Sequence, residues 1–421
     1  MTREEVQHHF WQTYARDMCK HALEQVDQYY RQYKEELAKE FADSFTVFCR
    51  YLQQQQKAEK KGEVGLICGS MLYTALLQEQ PVWRFDAYDK TSYLDKQECS
   101  FKFDTPWLFR PLYETCLQLE QARKKYAGKI SSSYIDTIKR RQAYSYIPYA
   151  VLVARQGLKQ AVWSEEFSAI SKEPIVEIRL GEYHDGSERV YCYDETPKDS
   201  AKSKRWLEKK LKKSYFCIVL TDLDLSEGDY SGITLSYTRL SNSLLHHANL
   251  SDTLLYGTDL SQCSIDSSNF SYSQISGAIF DHAIIHHTTF QHSYGSATDL
   301  YQEEGTEDEM RIDILIGASF CESQIKESNL SYSELEKVDF RGATLSDVSF
   351  RYSNLEGAIF KDAILTHCDF RGANLSRAQF PNTLLTDCEF EEANLHDASF
   401  SADYAKHANF SEIQKQQIST S

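Results

Sequence analysis

The chain has 421 residues, of which 41% are apolar and 13% aromatic, so it is long enough for two or three domains and apolar enough to bury their cores. No segment approaches the roughly 20 consecutive apolar residues of a membrane helix, and the polar, acidic start differs from a signal peptide, so we expect a cytoplasmic protein without a membrane association. The net charge of −16 is uneven, because residues 216–421 hold 11 Lys and Arg against 31 Asp and Glu, and this half should repel nucleic acid and attract basic surfaces.

Residues 1–200 predict a mostly helical α+β domain. A stretch rich in Tyr and Phe over residues 3–57 predicts one long helix or two consecutive helices. The other predicted elements are strands at 65–69, 82–88 and 98–104, a short helix at 71–78, helices at 107–126 and 134–156, and a β-hairpin at 175–194. The domain has no glycine-rich phosphate loop and no catalytic motif, so we predict no enzyme, and a catalytic role stays open only for this unassigned domain.

Residues 201–215 form a basic segment that contains the string KSKRWLEKKLKKS. We predict a linker and cap helix, in which Trp206 and Leu211 would cover the open end of the next domain. The alternative is a patch that binds phosphate or nucleic acid.

From residue 216 to residue 410, a large apolar side chain recurs at every fifth position, and a small side chain stands two positions before it. The pentads around Leu250 and Leu345 are examples, with Ala248 and Ala343 as their small residues. A period of five matches neither the 3.6-residue turn of a helix nor the two-residue repeat of a strand. The pattern predicts a square coil in which each pentad is one side, its apolar residue points inward, and successive coils stack ~4.8 Å apart.

Four pentads complete one coil, so residues 20 positions apart should lie above one another. We expect the rings of Phe340, Phe360 and Phe380 to stack on one interior face, and nine to ten coils to give a rod of about 45 Å. Residues 411–421 are predicted to be a polar tail. The full predicted interior column is Leu240, Leu260, Phe280, Leu300, Phe320, Phe340, Phe360, Phe380 and Phe400.

One acidic segment, residues 301–314, interrupts the repeat. Glu303 and Asp308 stand where small interior residues belong, and an unpaired carboxylate is costly to bury. We therefore predict a loop that bulges outward from one coil and leaves the phase of the repeat unchanged. Its candidate partner-binding residues are Glu303, Glu304, Glu307, Asp308 and Glu309.

The C-terminal half resembles the pentapeptide-repeat family in pentads such as ANLSD (248–252), ATLSD (343–347) and ANLHD (393–397). The resemblance implies an all-β, right-handed quadrilateral β-helix. Resemblance to the family members of the quinolone-resistance and immunity type further implies an acidic rod that imitates duplex DNA. In those members a projecting loop engages DNA gyrase.

The coil period places His246, Asp266 and His286 in one column. Such a column could hold a metal ion or form a pH-sensitive ladder, and the simpler alternative is a solvated surface column. We predict no catalytic residue, no cofactor and no bound metal. The eleven cysteines show no CxxC pair, which favours reduced thiols.

These observations lead to one preferred function and two alternatives. We predict a non-enzymatic interaction protein whose acidic solenoid docks a protein partner and does not itself bind nucleic acid. The first alternative is a DNA mimic that protects or inhibits DNA gyrase or another topoisomerase, and the second is a secreted effector with a repeat domain. An exposed aromatic or apolar patch would favour the first function, and continuous stripes of acids would favour the DNA mimic.

Overall fold

The computed structural model describes residues 2–183, 186–212, 214–297, 299–302, 311–314, 316–401 and 410–420. The chain divides into two units, one made of residues 1–196 with 300–313 and the other of residues 197–299 with 314–421. In the described ranges, no helix is long and apolar enough to cross a membrane.

The N-terminal unit begins with two consecutive helices, as predicted for residues 3–57. A π-helical turn, Trp11–Ala15, joins them, and the second departs from helical geometry at Tyr33. Thr2 and Glu5 form a capping box at the start of the first helix. The helices of this unit are α1 (Arg3–Phe10), α2 (Arg16–Lys57), α3 (Tyr73–Leu77), α4 (Pro106–Ala122), α5 (Ser132–Ala143), α6 (Ile147–Ala161) and α7 (Glu165–Ser168).

A five-stranded sheet packs against α2 in this unit. Its strands are β1 (Val64–Met71), β2 (Val82–Tyr88), β3 (Ser100–Asp104), β4 (Lys172–Glu182) and β5 (Ser187–Asp194). Their order is β3-β2-β1-β4-β5, in which β1 and β4 are parallel and the other neighbours are antiparallel. Phe45 and Phe48 of α2 lie 5.7 and 5.1 Å from the ring of Phe85 in the sheet, centroid to centroid.

The single helix predicted at 134–156 is wrong, because two helices, α5 and α6, occupy this stretch with a 3₁₀ turn, Tyr144–Tyr146, between them. Pro148 explains the break, since proline lacks a backbone N–H and its ring clashes with the carbonyl four residues earlier, so an α-helix cannot continue through it undisturbed. Gly157 of α6 lets this helix approach α2 closely, because a Cβ there would lie 2.5 Å from the carbonyl oxygen of Ala38.

Parallel backbone ladders connect the coils of the C-terminal unit. Four bridges occur in each coil, and each joins a residue to its equivalent in the next coil, as in Asp224↔Leu244 and Asp229↔Asn249. The short strands of the largest sheet are β6 (Ser264–Asp266), β7 (Ile284–His286), β10 (Gln324–Lys326), β11 (Thr344–Ser346), β12 (Ile364–Thr366) and β14 (Leu384–Thr386). A second sheet of this unit contains β13 (Gln379–Phe380), β15 (Ser399–Phe400) and β16 (Ser419–Thr420). β8 (Asp299–Gln302) pairs with β9 (Arg311–Ile314) in a separate sheet, and most residues of these two strands belong to the N-terminal unit.

Aromatic columns fill the interior, and the predicted stack is confirmed. Phe360 lies 5.0 Å from Phe340 and 4.8 Å from Phe380, with interplanar angles of 4° and 3°. A second Phe column meets the first edge to face, as between Phe360 and Phe370 at 5.9 Å and 89°. Two aromatic columns therefore run from coil to coil from Phe270 onward, and Leu and Ile fill the rest of the interior.

The predicted position of Leu300 inside the solenoid is wrong. Phe280 stacks directly on Phe320 at 4.6 Å and 3°, although these residues are two coil lengths apart in the sequence. The ladder also passes from Ile279 to Ser319. An excursion of one coil length leaves the phase unchanged, so the sequence period cannot distinguish it from a coil, and the solenoid has one coil fewer than predicted.

Each end of the solenoid is covered by the chain itself. Leu207 of α8 (Ser200–Leu207) is fully buried in the solenoid core with Tyr215, whereas Leu211, predicted to be buried, is 45% exposed. The residues predicted as a polar tail include α9 (Glu412–Gln417), and Gln414 donates hydrogen bonds from Nε2 to the carbonyls of Phe390 and Ala393 at 2.7 and 3.1 Å. The bond to Ala393 pairs a carbonyl group at the end of the solenoid, whereas the carbonyl of Phe390 also accepts from the N–H of Ala393.

We expect Phe360→Ala to lower the free energy of unfolding of the repeat unit by about 3–5 kcal/mol, because the cavity opens between two stacked rings. The outward neighbour Lys361 is exposed, and Lys361→Ala should change it by no more than about 0.5 kcal/mol. Urea unfolding followed by circular dichroism measures both. Equal unfolding midpoints for the two variants would refute the inward position of Phe360.

Candidate interaction surface

The predicted partner-binding acids belong to the excursion between Ala297 and Ala318. Glu303, Glu304, Glu307, Asp308 and Glu309 lie outside the described residues. The flanking segments are described, and β8 and β9 pair with each other as a two-stranded sheet. The excursion leaves the ladder after Ala297, whose N–H donates to the carbonyl of Glu336 at 3.0 Å, and Ala318 returns by donating to the carbonyl of Gly295 at 2.9 Å.

One turn position of each coil forms a column that we call the charged column. Its members have positive φ, between 48° and 60°, a conformation that Asn, Asp, His and Gly adopt more readily than other residues. A side chain at such a turn points away from the interior. The column consists of Glu227, His247, Ser267, His287, Glu327, Asp347, His367 and Asp387.

His287 is the best-contacted member of the charged column. Its Nδ1 lies 2.9 Å from Asp266 Oδ1, and its Nε2 lies 2.8 Å from Glu327 Oε2. The hydrogen bond to Asp266, followed by that to Glu327, raises the pKa of His287 above its ordinary 6.5, while partial desolvation opposes the shift. The pKa of Asp266 is lowered, chiefly by the same hydrogen bond. His287 therefore bridges an acid of the preceding coil and an acid of the following coil on this edge.

The predicted column of His246, Asp266 and His286 does not form a cluster. Asp266 contacts His287, which stands one residue beyond the predicted column, and His246 Nε2 lies 2.8 Å from Ser264 Oγ. Among the described residues, no group of three or more His, Cys, Asp or Glu side chains is arranged to hold a metal ion.

A second turn position carries an exposed stack of rings that we call the aromatic column: Tyr272, His292, Tyr332 and Tyr352. Successive ring centroids are 5.0, 5.3 and 5.3 Å apart, with interplanar angles of 8°, 17° and 22°. The three tyrosines are about half exposed, at 53%, 49% and 47%. The rings stack face to face, and their edges and hydroxyl groups are left for contact with solvent.

The exposed acids of the solenoid do not form continuous stripes in the described residues. Asp339 pairs with Arg341 at 2.6 Å, and Asp369 pairs with Arg371 at 2.7 Å. In the charged column, imidazoles interrupt the acids. Some of the acids are therefore paired locally, although residues 216–421 hold 20 more Asp and Glu than Lys and Arg.

The basic segment contacts the first coil. Lys210 Nζ donates to Asp229 Oδ2 at 2.7 Å, and this bond, together with Ser231, lowers the pKa of Asp229 to about 2. Lys204 donates to the carbonyl of Ser226. These two lysines are thus engaged within the repeat unit.

The aromatic column was missed by the sequence analysis, although a signal for it was present. Tyr272 and His292 are one coil length apart, and Tyr332 and Tyr352 repeat that spacing after a gap of two coil lengths. The 20-residue period that aligns the inward positions also aligns these outward rings, and so predicts the aromatic column.

Repeated coils joined by parallel ladders define the C-terminal unit as a parallel β-solenoid. A family model described as pentapeptide repeats matches residues 231–262, 243–281, 323–362 and 363–401. The C-terminal region therefore belongs to the pentapeptide-repeat family, as the sequence predicted, and the N-terminal region has no family match.

Solved structures with similarity to this chain include other pentapeptide-repeat proteins. HetL, involved in heterocyst differentiation regulation in the cyanobacterium Nostoc sp. strain PCC 7120, is 21% identical, with 44% of this chain and 91% of HetL covered and a TM-score of 0.20. Trypsin-treated QnrB1, a plasmid-mediated fluoroquinolone resistance protein, is 19% identical, with 40% and 82% covered and a TM-score of 0.21.

Rfr23 from the cyanobacterium Cyanothece 51142 is 14% identical, with 46% of this chain and 99% of Rfr23 covered and a TM-score of 0.15. No curated protein matches the chain. The family assignment rests on the match to the repeat model and on the coil geometry. Structural alignments with such low TM-scores support no conclusion about function.

We expect the imidazole of His287 to titrate above pH 6.5, and Asp266→Asn with Glu327→Gln to return its pKa toward 6.5. Since the folded pKa is raised, the stability that protonated His287 contributes is present below pH 6.5 and lost as pH rises through the folded pKa. The pKa values of Asp266 and Glu327 are lowered from their ordinary 3.8 and 4.5. The stability that these two carboxylates contribute is therefore present above those values and lost as pH falls through the lowered pKa values.

Nuclear magnetic resonance of the imidazole C–H protons measures this titration, with His287→Asn to assign the signal. Salt at about 1 M should reduce the shift, because these groups are exposed. A His287 pKa at or below 6.5 in the unmodified chain would contradict the bridging geometry.

Proposed function

We propose that this chain is a non-enzymatic interaction protein that docks a protein partner on its solenoid, with the aromatic column at the centre of the docking surface. We assign it no catalytic residue and no cofactor. The observation that carries the proposal is the exposed, ordered stack of Tyr272, His292, Tyr332 and Tyr352.

The chemistry of the aromatic column suits a protein interface. Tyrosine supplies a large contact area at a small cost in conformational entropy, and it is enriched in interface hot spots. Stacking on one side for Tyr272 and Tyr352, and on both sides for His292 and Tyr332, already restricts these rings, so less entropy is lost on binding. Tyr294, 46% exposed, stands two residues after His292 at the next outward position and adds a further ring near the column.

We further infer that the solenoid is a right-handed coil with four faces. Four ladders in each coil and the edge-to-face contact of the two Phe columns support the square section. Such a coil gives flat outer faces on which a partner aligns with the rows of side chains.

The acidic excursion supplies a second proposed contact, through Glu303, Glu304, Glu307, Asp308 and Glu309. Its support is its place in the chain: it leaves the ladder at Ala297, returns at Ala318, and the interior stack continues from Phe280 to Phe320 without a break. Because Phe280 stacks directly on Phe320, we propose that the excursion serves recognition.

A DNA mimic acting on DNA gyrase is the second candidate, and the excess of 31 Asp and Glu over 11 Lys and Arg in residues 216–421 favours it. The local pairing of acids with Arg and His favours the first candidate, because a mimic of duplex DNA needs uninterrupted rows of negative charge. The two candidates differ in salt dependence and in their target.

We expect Tyr272→Asn, Tyr332→Asn and Tyr352→Asn together to weaken partner binding at least tenfold without unfolding the solenoid. Asparagine tolerates the positive φ of 61°, 59° and 55° at these positions. Proteins retained from a native lysate by the unmodified chain are identified, and the affinity of each is then measured with both chains.

A matched control replaces three turn residues on another face, His282→Asn, Glu322→Asn and Asp362→Asn, and should bind as the unmodified chain does. A further variant neutralises the five acids of the excursion, and loss of binding there would assign recognition to the excursion. Inhibition of purified DNA gyrase that weakens steeply with salt would favour the DNA mimic. Unchanged affinity in the tyrosine variant would refute the proposed docking surface.

A further inference from the structure

The N-terminal unit contains a cavity of about 300 Å³ between α2, the sheet and the start of α4. Its apolar walls include Leu37, Phe41, Trp83, Phe103 and Trp107. Leu37 and Phe41 follow the irregular residue Tyr33 of α2 by one and two helical turns, and Trp83 faces Phe103 across the β2–β3 register. The volume is at the lower end of the range for small-molecule sites.

Two polar groups in the wall of this cavity have no hydrogen-bond partner in the protein. The indole Nε1 of Trp83, a residue 1% exposed, is buried and unpaired. The hydroxyl of Thr105 is also buried and unpaired, and although Thr105 precedes α4 it makes no capping hydrogen bond. Since more than nine in ten buried polar groups find a partner, two orphans in one small cavity point to a ligand that pairs with them.

Three carboxylates, Glu40, Asp43 and Asp104, line the same cavity and are exposed. Elsewhere in the N-terminal unit, acids such as Asp86 and Glu120 pair with arginine. By contrast, none of the three forms an ion pair with a residue that the structure describes. The cavity therefore combines an aromatic interior with an unneutralised acidic mouth, which favours a cation.

We propose that this cavity binds a small organic cation: a primary amine joined by a short linker to an aromatic ring that carries a hydrogen-bond acceptor. The ammonium group lies among Glu40, Asp43 and Asp104, the ring packs against Trp107 and the edge-to-face pair of Phe41 and Phe103, and the acceptor pairs with the indole N–H of Trp83. This site is independent of the docking surface on the solenoid.

The test uses the full chain and calorimetric titration with three probes of one shape. Tyramine has the ammonium group, the ring and a phenolic oxygen. 4-Ethylphenol lacks the charge, and 3-(4-hydroxyphenyl)propionate reverses it. We expect tyramine to bind, 4-ethylphenol to bind at least tenfold more weakly, and the propionate to give no heat. Equal binding of tyramine and 4-ethylphenol, or no binding of tyramine at millimolar concentration, would overturn the proposal.

Variants assign the binding to this cavity. Glu40→Gln, Asp43→Asn and Asp104→Asn together should weaken tyramine at least tenfold, whereas Asp17→Asn, Glu35→Gln and Glu36→Gln, exposed acids of the same helix α2, should not. Trp83→Phe should weaken tyramine about fivefold or more while the melting temperature is maintained or rises, because the substitution removes an unpaired buried donor.

If the triple variant is unfolded by circular dichroism, Asp104→Asn alone replaces it, with a threefold or greater loss expected. Unchanged tyramine affinity in a folded acid variant would overturn the proposal. Unchanged tyramine affinity in Trp83→Phe would also overturn it, because the proposal requires the indole N–H to pair with the acceptor of the ligand.

Discussion

The backbone hydrogen bond between successive coils determines the rest of the repeat unit. The N–H of Leu245 donates to the carbonyl of Ser264 in the following coil at 2.9 Å, and the N–H of Leu244 donates to the carbonyl of Leu223 in the preceding coil at 2.8 Å. Because these bonds join each coil to both neighbours, every side chain lies above its equivalent in the next coil. Interior residues must then fit their neighbours in shape. Outer residues must be opposite in charge to their neighbours or able to stack on them as rings.

The same constraint generates the two surface columns. Each turn has one residue with positive φ, which costs free energy in a residue other than glycine, and the ladder fixes that residue directly over the turn before it. At one turn the stacked residues are acids and imidazoles, and at another they are aromatic rings. A rigid row of half-exposed tyrosines costs little entropy to bind, which connects the fold to a docking function.

The period of five predicted the fold and the stack of Phe340, Phe360 and Phe380, because a one-dimensional repeat leaves its period in the sequence. It failed at Leu300, since an excursion of one coil length preserves the phase. It placed Asp266 in one column with His286, as the backbone register confirms, but the spacing does not encode which neighbouring side chain the Asp266 carboxylate contacts. The cavity in the N-terminal unit was not predictable, since Leu37, Trp83 and Phe103 are brought together by tertiary packing alone, without a repeat.

Oxidative cross-linking of Asp281→Cys to the native Cys321 tests directly whether the ladder continues across the excursion. The N–H of His282 donates to the carbonyl of Cys321 at 2.9 Å, so the two positions lie in adjacent coils, where Cα atoms about 5 Å apart permit a disulfide. Mild oxidation should give a bond between residues 281 and 321, detected by peptide mass, and Ser261→Cys, one coil further away, should give none. If Leu300 formed an intervening coil, the separation would be twice the strand spacing, about 10 Å, and no cross-link from position 281 would form.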